Sequence, residues 1–209
     1  MKTRVLITAG PTREYIDPVR YISNDSSGRM GCALAKAALE LGCEVTLIAG
    51  PIAIEKPKGA HGIAVISARE MRTAVLKEAR DADVIIMAAA VSDWRPAKCS
   101  KRKLKRTDGS SNDRTIELTP NPDILAELCA KRKPGQIIAG FALESNHLER
   151  NARDKLKRKA CDWIVANGVQ AIGSGASSAV LFSARGGKIN LPPLPKEDLA
   201  MVILSHILS

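Results

Sequence analysis

The twelve residues RYISNDSSGRMG, Arg20 to Gly31, set Asn24, Asp25, Ser26 and Ser27 between arginines. They follow a run of Val and Ile and lead into a helical pattern, so they feed a helix N-terminus, where unpaired N–H groups attract an anion. Ser26, Ser27 and Gly28 are small enough to let a phosphate approach. Arg13, Arg20 and Arg29 bring guanidinium forks that suit phosphate and carboxylate. On local pattern alone, Ser26 or Ser27 equally fits a plain N-cap and Asn24 a turn residue. Between Arg95 and Arg106 stand seven basic residues and no acid, which fits either a phosphate-gripping loop or a solvated basic face. No Gly-x-Gly-x-x-Gly follows the first strand, and no Gly-x-x-x-x-Gly-Lys-Ser/Thr occurs. Tyr-x-x-x-Lys is missing too, since Val19 and Asp25 stand four residues after Tyr15 and Tyr21.

The elements that must position these residues alternate. Short runs rich in Val and Ile at 5–9, 44–49, 63–67, 84–89, 137–143 and 163–166 read as buried parallel strands. A helix over 28–41 places Met30, Leu34, Ala37, Ala38 and Leu41 on one face, with Gly42 as its stop. Others are expected at 68–80, from Asn121-Pro122-Asp123 onward, at 145–160 and at 196–208. In the third, Asn121 would cap and Pro122 take the first position. Such alternation predicts a doubly wound, Rossmann-like α/β fold, a mostly parallel sheet with helices on both faces. Two stretches break the rhythm: a mobile basic loop over 95–120 with a short strand near 115–118, and a hairpin at 178–191. Together they suggest a small β extension on a single domain spanning 1–209.

At 209 residues the chain can bury roughly 70% of its unfolded surface. It is 45% hydrophobic and has no apolar run long enough to span a bilayer, so no membrane segment is expected. Only Val5 to Ile7 follow the two N-terminal cations, which argues against a secretory leader. Five widely spaced cysteines without a Cys-x-x-Cys pair indicate neither a disulfide framework nor a zinc site, and a cytoplasmic protein is expected. The net charge of +10 points to anionic partners. With 3% aromatic residues the chain is poor in stacking platforms for nucleic acid, so small phosphates are the better match.

The motifs ITAGPTREYIDPVRYISNDSSGRMG, AAAVSDWRP, KLKR, TPNPDIL and GFALE, in that order, resemble the phosphopantothenoylcysteine synthetase family. The resemblance spans residues 6–167 and fits more loosely beyond. In many bacteria this domain is fused behind a flavin-dependent decarboxylase, and this chain looks free-standing. The resemblance implies a ligase: the carboxylate of 4'-phosphopantothenate attacks the α-phosphate of CTP, less readily ATP, and the amine of L-cysteine opens the acyl-nucleotide, with Mg²⁺ neutralising phosphate charge. Asn24 matches the family's active-site asparagine, with Arg20 beside it on phosphopantothenate. Lys103 and Lys105 match its Lys-x-Lys, although Lys101 fits the place of Lys103 as well. Ala89, Ala90, Asp93, Phe141, Lys155 and Lys159 match the nucleotide site, to which Gly10, Ser26, Ser27 and Gly28 are expected to contribute. Packing also accounts for the alanines and Phe141, and a solvated face for the two lysines. Family members carry an acid after the late strand, where this chain has Ile172-Gly173-Ser174-Gly175-Ala176. A homodimer is implied, the β extension reaching to a neighbour.

Two other classes stay open. An NAD(P)-dependent oxidoreductase would need a nicotinamide site that these motifs do not supply. A nucleic-acid-binding protein would use the basic runs at 95–106 and 150–159, with affinity falling steeply in salt.

Overall fold

The computed structural model describes residues 2–105, 115–171 and 175–209. At its centre lies strand β1 (Arg4–Ala9), buried at every residue after Arg4. Helices cover both faces of the sheet, so every position takes an apolar or small side chain and no alternation shows. Next to β1 stand β4 (Glu44–Ala49) and β6 (Val84–Met87). Beyond them lie β5 (His61–Ala64) on one side, and β9 (Ile137–Glu144) and β10 (Trp163–Gly168) on the other. All six run parallel. A hairpin of β11 (Ala176–Ser183) and β12 (Lys188–Pro195) pairs antiparallel onto β10 and completes an eight-stranded sheet.

One face is covered by α1 (Arg29–Glu40) and α5 (Lys196–Leu208), the other by α2 (Ala68–Glu78), α3 (Ile124–Ala130) and α4 (Leu148–Lys159). Neighbours on β1 feed opposite layers: Ile7 lies in the core layer of Leu34 and Ile203, Leu6 in that of Met71 and Leu156. Each such side chain contributes about 1.5–3 kcal/mol by leaving water. Because α5 packs along α1, that helix is buried nearly all round, at Cys32, Ala33, Leu34, Ala35, Ala37 and Ala38. The single stripe read from the sequence is therefore too narrow. Leu41, expected within it, is the C-cap and lies exposed, while Gly42 ends the helix at φ 79° as expected.

Several boundaries move for local reasons. The strand expected at 63–67 lies at His61–Ala64, because Ser67 turns to cap α2 and accepts the Glu70 N–H at 3.2 Å. Asp123, not Asn121, caps α3, taking the Ala126 N–H at 3.0 Å, so Pro122 stays outside the helix. β9 runs on to Glu144, and α4 starts at Leu148 after His147 in a left-handed conformation. Residues 10–27 are more than a loop: β2 (Arg13–Tyr15) and β3 (Tyr21–Ser23) pair within them. The two irregular stretches do not join into one β extension. The hairpin is continuous with the main sheet, whereas β7 (Trp94–Pro96) and β8 (Leu118–Pro120) pair only with each other. β8 lies C-terminal to the strand expected at 115–118 and shares only Leu118 with it. The polar part of the expected loop at 106–114, and Ile172 to Ser174, lie outside the described residues. Among the described residues no helix is long and apolar enough to cross a membrane.

Candidate active site

From β1 the chain moves to β4 on one side, and from β6 to β9 on the other. The crevice beyond the carboxyl ends of β1 and β6 is thus the switch point where open α/β sheets bind ligands. Gly10 ends β1 and Gly28 opens α1, both at φ 77°, with the 11–27 excursion between them. They meet in space: a Cβ on Gly28 would stand 3.2 Å from Gly10 Cα. One turn further, a Cβ on Gly31 would come within 2.5 Å of the Ala9 Cβ, so α1 presses directly on β1. The tight turn, the open approach and the close helix packing that Gly-x-Gly-x-x-Gly supplies are assembled here from Gly10, Gly28 and Gly31. Sequence reading missed Gly31, although Gly28-Arg-Met-Gly31 keeps the second half of the spacing.

Neither serine is the cap of α1. Gly28 is, with no side-chain cap and no acid in the first turn. Ser26 Oγ lies 3.4 Å from the Gly28 nitrogen and Ser27 Oγ 3.5 Å from that of Arg29, contacts too long to satisfy those donors fully. The helix end can therefore still receive an anion.

The two strand ends are stitched together. Thr8 Oγ1 accepts the Ala89 N–H at 3.1 Å, and buried Thr12 Oγ1 that of Ser92 at 3.0 Å. The Ala90 N–H donates to the Gly10 carbonyl at 2.9 Å. Onto the Ala90 carbonyl comes Asn24, whose Nδ2 donates at 2.9 Å while the side chain stays exposed. Ser23, just before it, donates to the Thr12 carbonyl at 2.8 Å and fixes the end of β3.

Beyond β6 and β9 opens a cavity of about 270 Å³ that gathers Ala89, Asp93, Phe141, Lys155 and Lys159. Met87, Ile124 and Leu125 supply apolar wall, and Ser92, Asn121 and Asp123 polar wall. Asn121, expected as a cap, instead bridges the rim: its Nδ2 donates to the Ser92 carbonyl at 2.8 Å and its N–H to that of Asp93 at 2.7 Å. Lys155 donates to the Phe141 carbonyl at 2.7 Å, and burial pushes its pKa down, with Glu144 and Asp93 pulling the other way. Lys159 pairs with Asp123, the α3 cap. Neither lysine belongs to a merely solvated face. The Ser92 hydroxyl is buried and without a hydrogen-bond partner in this lining.

Gly10, Ser26, Ser27 and Gly28 stand on the α1 side, outside that lining, and Ala90 connects the two groups. Lys103 and Lys105 are exposed, on a stretch fastened at Leu104 by Arg20 and Asp17. Arg20 itself bonds Asp17 through Nε at 3.0 Å. Among the described residues no group of three metal-ligating side chains occurs. A divalent ion here fits only as one held largely by phosphate oxygens, with Asp93 and Asp123 the acids of the lining.

Fold and site together define a doubly wound α/β protein whose switch-point pocket faces a polar excursion rather than a continuous glycine loop. The comparisons agree. The chain belongs to the family of the DNA/pantothenate metabolism flavoprotein C-terminal domain, whose model matches residues 1–209. It is 47% identical over 207 residues to the coenzyme A biosynthesis bifunctional protein CoaBC of Vibrio vulnificus strain CMCP6, covering 97% of this chain and 51% of that protein. It thus spans about half the length of the curated relatives it matches. A crystal structure of a CoaBC C-terminal domain superposes with a TM-score of 0.84 at 39% identity, covering 98% of this chain and 93% of that one. A structure of a Cab2 H337A mutant in complex with phosphopantothenate-cysteine shares the fold, with a TM-score of 0.78 at 17% identity over 99% of this chain and 85% of the other.

Proposed function

We propose that this chain is a phosphopantothenate–cysteine ligase of coenzyme A biosynthesis, acting in the cytoplasm with CTP in preference to ATP. The carrying observation is that Asn24 reaches the Ala90 carbonyl, next in sequence to Ala89 in the wall of a cavity that also holds Asp93, Phe141, Lys155 and Lys159. The cavity takes the nucleotide, with Phe141 and the alanines beside it and the two lysines toward its phosphates. The α1 end at Gly10, Ser26, Ser27 and Gly28 offers N–H groups to the same anion. Arg20 and Asn24 face phosphopantothenate, and Lys103 and Lys105 approach from the basic segment. Mg²⁺ bound to the triphosphate would be held with Asp93 or Asp123 and neutralise phosphate charge.

Two anions must meet, so fixed cations and N–H dipoles lower the repulsion before any bond forms. The phosphopantothenate carboxylate attacks the α-phosphorus and pyrophosphate leaves. The cysteine amine then attacks the acyl carbon, loses a proton, and CMP leaves. Asn24, anchored at one end on Ala90, offers a hydrogen-bonding amide to the acyl-nucleotide. The structural placement weighs against the oxidoreductase reading, because β4 ends at Ala49 and Gly50-Pro51 follow, where dinucleotide folds keep the acid that grips the ribose. A homodimer is supported by Val19, Trp94 and Leu118, exposed on the excursion and on β7–β8.

The test is incubation with 4'-phosphopantothenate, L-cysteine, Mg²⁺ and each nucleoside triphosphate in turn, reading pyrophosphate and product. CTP is expected to give the fastest release, and absence of product with every nucleotide refutes the ligase. Asn24→Ala removes one exposed hydrogen bond worth about 0.5–1.5 kcal/mol, so it folds. It is expected to abolish product while binding CTP within about twofold of wild type.

A further inference from the structure

Two side chains of the excursion converge on one distant residue. Asp17, fully hidden from solvent, accepts the N–H groups of Val19 and Arg20 at 2.9 Å each and Arg20 Nε at 3.0 Å. The same carboxylate accepts the Leu104 N–H at 3.1 Å. Arg20 Nη2 donates to Asp17 and also to the Leu104 carbonyl at 2.6 Å. Both main-chain polar groups of Leu104 are therefore held by one ion pair. Nearby, the Ser100 N–H donates to the Ile16 carbonyl at 2.9 Å, a second tie between the same two stretches.

Leu104 lies between Lys103 and Lys105, inside the run of seven cations without an acid. Such a run repels itself and extends into water. A lysine carried on it would meet a phosphate only after losing much backbone freedom. The buried Asp17 carboxylate supplies the missing countercharge. Its pKa lies well below the usual carboxylate range, first because of the Arg20 guanidinium and also through the N–H groups of Val19, Leu104 and Arg20. A charge-assisted contact of this kind orients its partner as well as attracting it.

We propose that Asp17 and Arg20 form a clamp on Leu104 that pre-positions Lys103 and Lys105 for the nucleotide, which makes Asp17 a positioning residue of the ligation. The proposal rests on the reading of those lysines given above, and it goes further by assigning their placement to a buried acid that never touches substrate.

Hydrogen exchange on the full chain reads the clamp without any activity. The Leu104 amide is expected to exchange at least about tenfold more slowly than the free-peptide rate, and to lose that protection in Asp17→Asn. Arg20→Gln, at an exposed position, gives the same readout if Asp17→Asn does not fold. Kinetics read the consequence: Asp17→Asn lowers kcat/KM for CTP about tenfold with KM for cysteine unchanged, whereas Arg20→Gln, at a residue that also faces phosphopantothenate, is read by exchange alone. Lys103→Ala then costs less in the clamp variant than in wild type, a non-additivity that a merely structural residue would not produce. Free exchange of the wild-type Leu104 amide overturns the clamp, and additive costs overturn its positioning role. If Lys103→Ala is as fast as wild type, the lysine assignment fails, while the exchange result still decides whether the clamp exists.

Discussion

In the proposed site, burial makes Lys155 a proton-sensitive contact for the nucleotide. Its pKa sits below the ordinary lysine value because the cavity wall desolvates the ammonium, and a triphosphate entering that wall would restore the charged form. As pH rises through the lowered pKa, binding must first take up a proton. We therefore expect CTP affinity to fall by up to about tenfold per pH unit between that pKa and about 10.4. Folding stability has the opposite sign: the unfolded lysine binds more protons in this window, so stability rises with pH there. Calorimetric titrations and melting curves across the alkaline range check both slopes, and Lys155→Met is expected to flatten both. The residue also shows what sequence alone can say. GFALE and the spacing of Lys155 and Lys159 marked side chains that the structure gathers in one cavity, but only β9 and α4 lying side by side bring Phe141 under Lys155.

The joint between β1 and α1 carries a contact that the sequence marked only through the Gly28–Gly31 spacing. Gly31 stands where any side chain strikes Ala9 and the Thr8 carbonyl, the latter 2.9 Å from the absent Cβ. Gly31→Ala is expected to cost about 1–3 kcal/mol by overpacking. For a chain of this size that lowers Tm by about 2–4 °C per kcal/mol, measurable by calorimetry. Most elements were legible because buried parallel strands and long helices announce themselves by composition: β1, β4 and α5 fall where the runs of Val, Ile and Leu lie. The paired pieces β2–β3 and β7–β8 were not foreseen as such. Each is three residues long, too short for a period, and held from outside, as where Glu14 of β2, itself buried, accepts the Ala68 N–H at 2.8 Å. Asn121 misled for a related reason: a local cap signal lost to a tertiary bond with Ser92.

At the scale of the molecule, the two most exposed large apolar side chains among the described residues lie away from the main sheet. Trp94 is 53% exposed and Val19 58%, and β2 packs against β7, so the excursion and the β7–β8 piece form one outer face. In the proposed dimer this face is covered. Trp94→Glu is then expected to shift sedimentation from dimer to monomer with the melting curve of the isolated domain preserved, whereas a wild-type chain that sediments as a monomer at micromolar concentration refutes the assembly.

The meeting of Gly10 with Gly28 has one more consequence. Because everything from Pro11 to Ser27 leaves and returns at a single point, the two ends of that segment already stand within joining distance. Joining its stumps by a two-residue bridge is therefore open at the ends, yet it strips the Ala68, Ser92 and Leu104 N–H groups of the partners that Glu14, Thr12 and Asp17 supply, so the shortened chain is expected to melt well below the intact one.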